Sequence, residues 1–289
     1  MRYALFLISL IIFILFVPHF EKSMQNRPVY AKLGFVPQGK FYKAVLGNFR
    51  WFEGEYYTFK SIIYYGGKVK DITYNHGRNV EYYNLYRTIE TAIVLNPYNE
   101  DAYYFAQGAF VWGVGHVKAV NGLLRYVYKY RPWDFQIPFF LGFNYAYFLH
   151  NYKESAKYFK QAADLTHSPL FTNLAARYFY KGGEVKLGIS YLEYMIKNTE
   201  NESVRNIYKI RLKALIEIEK LSKAVSIFKE KYGRIPKNLN ELVMKGIIES
   251  IPKDPYGGEF YIDKNGTIET TSKLAKGWKN ESDRSKKSY

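Results

Sequence analysis

The sequence predicts a mainly α-helical chain, a solenoid of stacked helical repeats that closes with a small α+β element, one short helix and a β-hairpin. Three observations predict it. Proline recurs at Pro97, Pro132 and Pro169, 35 and 37 residues apart, each between stretches of helical periodicity. A charge-free run from Tyr3 to Val17, "YALFLISLIIFILFV", stands at the N-terminus. Near the other end "PKDPYGGEFYIDKNG", Pro252 to Gly266, breaks the helical pattern with a turn followed by strand residues.

The first element is the apolar run, assigned to residues 1–20. Arg2 precedes it and Pro18-His19-Phe20-Glu21-Lys22 follows. Fifteen to eighteen apolar residues at 1.5 Å each span about 23–27 Å, just short of a full hydrocarbon core. A cleavable signal needs small residues before the cut, and Val17-Pro18-His19-Phe20 offers none, so the reading is an uncleaved anchor. Arg2 competes with Lys22, Arg27 and Lys32 across the segment, so the positive-inside rule does not decide orientation. The expectation is a bacterial inner-membrane tether with the soluble part in the periplasm.

Residues 28–80 read as a helical region and a loop. "NFRWFEGEYYTFKSIIYYG", Asn48 to Gly66, is aromatic on several faces, and one helix is expected from Phe41 to Tyr65 with a loop from Gly66 to Asn79. Residues 81–200 carry the repeats. "AIVLNPYNEDAYYFAQGAF", Ala92 to Phe110, joins two helices through Asn96-Pro97. After Pro132, Leu141-Gly142 and Tyr145 are followed by Ser155-Ala156, Phe159 and Ala162-Ala163. Small residues at helix crossings let two helices approach, and the aromatics fill the space alongside.

This pattern resembles the tetratricopeptide repeat, a helix–turn–helix unit. The segment Phe135 to His167 matches best. Glu100 to Arg131 carries Tyr103, Phe110, Ala119 and Leu123 at matching places but Gln107 where glycine is expected; Thr172 to Thr199 keeps Gly188, Leu192 and Met195. The resemblance implies a curved stack with a concave groove for a peptide or helix of a protein partner. By position it implies Gln136, Phe139, Phe143 and Tyr147 facing the groove from one unit, and Asp101, Tyr104 and Trp112 from the unit before. The alternative is that these aromatics pack between neighbouring helices.

Residues 202–271 form the last region. Glu202 to Lys231 keeps helical spacing, Gly233 stops it and Ile235-Pro236 forces an extended step. Asn238 to Glu241 reads as a capping-box start for a short helix. Asp254, Pro255, Gly257 and Gly258 make a tight structural turn before the strand Glu259 to Ile262, and Asp263 to Gly266 turns it back into Thr267 to Thr270. The order Tyr232-Gly233-Arg234-Ile235-Pro236, short helix, Pro252-Lys253-Asp254-Pro255-Tyr256-Gly257, strand is similar to the C-terminal region of the type II secretion major pseudopilin. The chain departs from that family in two ways. No prepilin processing site opens the apolar run, and the long helix is not continuous with the anchor. The hairpin turn explains Asp263 and Asn265, the remnant of the family's calcium loop. Residues 272–289 read as a basic, Ser-rich, disordered tail.

Composition narrows the chemistry. The absence of cysteine excludes disulfides, thiolate nucleophiles and Cys-ligated metal. The net charge of +16 favours anionic surfaces, but it is diffuse and lacks zinc-finger spacing or an RNA-binding signature, so no nucleic-acid partner is expected. The histidines at 19, 76, 116, 150 and 167 show no paired spacing, and no nucleophile elbow, Walker loop or complete dinucleotide fingerprint occurs. No catalytic residue, cofactor, metal or small-molecule substrate is assigned. The expectation is a non-enzymatic, membrane-tethered scaffold that binds protein, associated with a secretion or type IV pilus-like apparatus. An envelope assembly factor unrelated to pili and a glycan-acting enzyme using the aromatic groove stay open beside it.

Overall fold

Four helices of this chain start on an asparagine cap. Asn99, Asn151, Asn201 and Asn238 each accept a hydrogen bond from the backbone N–H three residues on, at 3.1–3.2 Å, and each opens a helix. The computed structural model describes residues 2–25, 33–68, 80–272 and 274. Within them the protein is mainly helical, with one two-stranded antiparallel sheet at the C-terminal end. It divides into two units, Met1–Arg131 and Pro132–Tyr289, so the boundary falls inside the region expected to hold all the repeats.

The first unit contains α1 (Arg2–Gln25), α2 (Gly39–Val45), a 3-10 turn (Gly47–Phe49), α3 (Arg50–Gly67), α4 (Tyr82–Leu95), α5 (Glu100–Ala106) and α6 (Val117–Tyr128). Helix α1 runs five residues past the expected end and passes through Pro18. Its stretch Phe6–Ser23 is long and apolar enough to cross a membrane, and none of it is buried. The single helix expected from Phe41 to Tyr65 is instead two. Gly47, at φ +51°, takes the left-handed conformation that ends α2 and lets the chain restart as α3. Residues 69–79, most of the expected loop, lie outside the described residues.

The core of this unit centres on α4, where Leu85, Ile89, Ala92, Ile93 and Leu95 are fully buried. Helix α5 continues into a wide π-helical turn, Gln107–Trp112, which places Phe110 edge-on against Tyr86 at 5.4 Å. Gln107, standing where the repeat pattern wants glycine, is buried in that turn. Gly113 to His116 then form the connection to α6.

The second unit contains α7 (Gln136–Tyr147), α8 (Tyr152–Thr166), α9 (Pro169–Lys181), α10 (Val185–Lys197), α11 (Glu202–Tyr232), α12 (Leu239–Met244), β1 (Phe260–Ile262) and β2 (Ile268–Thr270). Helices α7 and α8 form a helical hairpin through the short connection Phe148–Asn151. At their crossing a Cβ on Gly142 would stand 3.1 Å from the Phe159 ring, and the Ser155 hydroxyl donates to the Gly142 carbonyl at 2.8 Å. Helix α8 also packs on α9, α9 on α10 and α10 on α11, each helix covering the apolar face of the one before.

The sheet pairs Phe260 with Thr270 and Ile262 with Ile268. Two strands alone bury too little to stand by themselves. Here they share one core with the helices: Tyr180, Leu192, Leu215, Phe228, Phe260 and Leu274 belong to the same buried cluster. Ser272 and Leu274, expected to begin the tail, are buried, so the folded module reaches at least Leu274. Residues 275–289, the rest of the expected tail, lie outside the described residues.

Candidate functional site

The seven residues expected in a groove divide between the two units. In the first, Asp101 and Tyr104 sit three residues apart on the exposed side of α5, and Trp112 is exposed at the end of the π-helical turn. In the second, Gln136, Phe139 and Phe143 are half-buried and Tyr147 is 59 % exposed. The backbone N–H of Gln136 donates to Asp134 Oδ1 at 3.1 Å, which fixes the first turn of α7.

Along α7 the aromatics stand every fourth residue, and that spacing forms a ridge on a helix surface. Phe135, just before α7, lies 5.8 Å from the Phe171 ring, and Phe139 lies 5.7 Å from the same ring. Phe139 and Phe143 are 6.5 Å apart, and Phe143 stacks on Tyr147 at 5.4 Å with the planes 13° apart. The inner edges of Phe139 and Phe143 pack against the buried cluster of Phe159, Phe171 and Phe179. The two middle rings pack between helices, and the two ends of the row face solvent.

The C-terminal turn is built by its own backbone and by one carboxylate. Asp254 is buried; its Oδ1 accepts from the Tyr256 N–H at 2.8 Å, and its Oδ2 is taken by the Thr270 hydroxyl on β2. Pro255 and Tyr256 form the turn itself, closed by the Gly257 N–H donating to the Asp254 carbonyl at 2.9 Å. Gly257 has φ +75°, and a Cβ on Gly258 would stand 2.6 Å from the Ser272 nitrogen. A cleft of about 640 Å³ opens beside this turn, lined among others by Asn238, Leu239, Asp254, Gly258 and Phe260. Asp254 spends its oxygens on the fold there, so it forms wall and not ligand.

Two residues that sequence reasoning missed tie this module to the helices. The Tyr180 hydroxyl on α9 lies 2.8 Å from Glu269 Oε2 and 3.1 Å from the Ile268 carbonyl. Burial and the Glu269 carboxylate push its pKa well above the usual phenol range. Arg211 on α11 donates to the Asn173 carbonyl on α9 at 2.7 Å, and its guanidinium lies 5.7 Å from the Tyr256 ring. Burial pulls the Arg211 pKa below the ordinary arginine value. A tyrosine and an arginine inside amphipathic helices carry no positional signal that they reach a strand or turn far along the chain.

The capping box at α12 differs in one partner from its sequence form. Asn238 Oδ1 accepts from the Glu241 N–H at 3.1 Å, but Glu241 returns to the Lys237 N–H, at 2.7 Å, and not to Asn238. Arg234 clamps the same carboxylate at 2.5 and 3.1 Å. Arg234, and then the Lys237 N–H, draw the Glu241 pKa down to about 2.

His19, His116, His150 and His167 are each exposed, and His76 lies outside the described residues. Among the described residues no group of three or more histidines and carboxylates is placed to hold a metal ion. No family model, curated protein or solved structure matches this chain.

Proposed function

We propose that this protein is a membrane-tethered scaffold that binds another protein. In this reading α1 is an uncleaved anchor in a bacterial inner membrane and the rest of the chain works in the periplasm. The helical hairpins act as a tetratricopeptide-like stack, and the pseudopilin-like module closes its C-terminal end. The partner belongs to a secretion or type IV pilus-like apparatus.

One observation carries the reading: the row Phe135, Phe139, Phe143, Tyr147 is anchored in the core at its middle and open at both ends. Rings already fixed by packing lose little entropy when a partner covers them, which is what makes aromatic rows effective binding surfaces. The unburied apolar stretch Phe6–Ser23 supports the tether. Burial of the hairpin in the helical core supports a capping role for the C-terminal module, since the end of a repeat stack must be covered.

Chemical crosslinking of the full chain in intact cells tests this. A discrete protein adduct is expected, and the double variant Phe135→Ser, Tyr147→Ser is expected to lose it while keeping its helix content by circular dichroism. Recovery of the same adduct from the double variant removes the aromatic row from the interface.

A further inference from the structure

Helix α3 turns its two phenylalanines away from the protein. Its protein-facing side carries Gly54, Tyr57, Thr58, Ser61 and Tyr64. The Thr58 and Ser61 hydroxyls turn back onto their own helix, donating to the Gly54 and Tyr57 carbonyls at 2.8 Å each. Gly54 admits the close approach of the chain just after α4: a Cβ there would stand 2.7 Å from Asn96 Cβ. The opposite side carries Phe52, Tyr56, Phe59 and Ile63, spaced by four, three and four residues, which is one stripe of a helix. Each is between 47 % and 69 % exposed. An ordinary surface helix buries its most apolar side chains; α3 buries two tyrosines among small and polar residues and leaves its phenylalanines and Ile63 exposed.

We propose that this stripe lies in the interfacial layer of the lipid bilayer that α1 enters, an inference that rests on reading α1 as an anchor. Three observations select lipid as the occupant. Residues 26–38 separate α1 from α2, and that length of chain spans at most about 45 Å when fully extended. The helix pair α2–α3 therefore stays within about 45 Å of the end of α1. The segment from α2 to Lys68 is cationic, with Lys40, Lys43, Arg50, Lys60 and Lys68 against Glu53 and Glu55, although Lys43 reaches the Tyr126 and Tyr130 hydroxyls and Lys60 donates to the Leu33 carbonyl. Glu55 is moreover engaged by the Asn96 and Asn99 amides at 2.6 Å each. Basic side chains flanking a stripe of bulky aromatics match anionic headgroups above an apolar layer. Charges at Arg50, Glu53, Glu55 and Lys60 exclude α3 as a spanning helix and leave it the interfacial position. A groove of about 450 Å³, lined among others by Leu33, Tyr56, Phe59, Lys60, Ile63 and Lys68, opens on the same face and offers acyl carbons an apolar floor.

The absence of cysteine makes the test direct, because a single introduced cysteine carries the only label. Phe59→Cys, Ile63→Cys, Phe13→Cys in α1 and Gly122→Cys in α6 are each labelled with an environment-sensitive fluorophore. The full chain is then reconstituted into vesicles of phosphatidylethanolamine and phosphatidylglycerol, with and without doxyl-labelled lipid. The labels at 59 and 63 are expected to shift to the blue and be quenched several-fold by the lipid-borne spin label, as is the label at 13, while the label at 122 stays as in water. Quenching at 13 without quenching at 59 and 63 overturns the inference and leaves the anchor intact. A blue shift at 59 without lipid quenching means that protein covers the stripe, and overturns it equally. No quenching at 13 ends the anchor reading, and the inference falls with it.

Discussion

The phenol of Tyr180 on α9 reaches 88 residues along the chain to the Ile268 carbonyl, at 3.1 Å, and donates to the Glu269 carboxylate on β2 at 2.8 Å. This contact joins the helical array to a hairpin too small to fold alone. Tyr180→Phe keeps the ring and deletes the hydroxyl, leaving a carbonyl and a carboxylate without their donor. The expected cost is about 1–3 kcal/mol. Urea unfolding of the full chain in detergent measures it, with Tyr194→Phe, an exposed tyrosine, as the comparison expected to stay within about 0.5 kcal/mol of the parent. Equal stability of the two variants would show that the hairpin holds without Tyr180.

The two glycines after Pro255 differ in kind, and that difference is measurable. Gly257 is needed for its left-handed backbone and has open space where a Cβ would go. Gly258 is needed for space, because the Ser272 backbone crosses it. Gly257→Ala is expected to cost about 1 kcal/mol. Gly258→Ala forces backbone apart and is expected to cost more, about 1–3 kcal/mol. Gly257→Asn, which tolerates the left-handed region, should recover part of the first loss, while Gly258→Asn should be the worst of the four. Denaturation midpoints of the four variants give the order.

Glu241 supplies the pH prediction. Its folded pKa of about 2 lies below the ordinary 4.5, held there by Arg234 and the Lys237 N–H. A carboxyl whose pKa is depressed by folding contributes stability that is complete above the unfolded value and is lost as pH falls through the folded one. Glu241→Gln is therefore expected to lower the urea midpoint at pH 7. The gap from the parent should close as the pH drops from about 4.5 to about 2. A gap of constant size across that range would mean that the carboxylate charge is not what holds the Ile235-Pro236 step to α12.

Much of the architecture was legible because it is local. The long helix α11 and its Gly233 stop, and the strand–turn–strand at the end, all follow from spacing and turn chemistry within a few residues. What escaped was one glycine break and the contacts made with distant parts of the chain. Gly47 divides one apolar stretch into two helices, and nothing in the periodicity of Phe41 to Tyr65 marks the break. The stripe Phe52, Tyr56, Phe59, Ile63 has a helical period, but periodicity identifies a face without saying what covers it. On α3 the covered face is the one with Tyr57, Thr58, Ser61 and Tyr64, and the phenylalanines stand on the other. For the candidate groove, spacing placed Phe135 to Tyr147 on one ridge; how deeply each ring sinks depended on Phe159 and Phe171 from the next helices.

The central claim is that the open end of that ridge is a protein-binding surface, and light-activated crosslinking tests it most directly. A photoreactive phenylalanine replaces Tyr147, and in a second strain Lys157, an exposed residue of α8, in the full chain in living cells. The account predicts one discrete protein adduct from position 147 and none from position 157 after illumination. Illumination that yields no adduct at 147, or the same adducts at both positions, would contradict it.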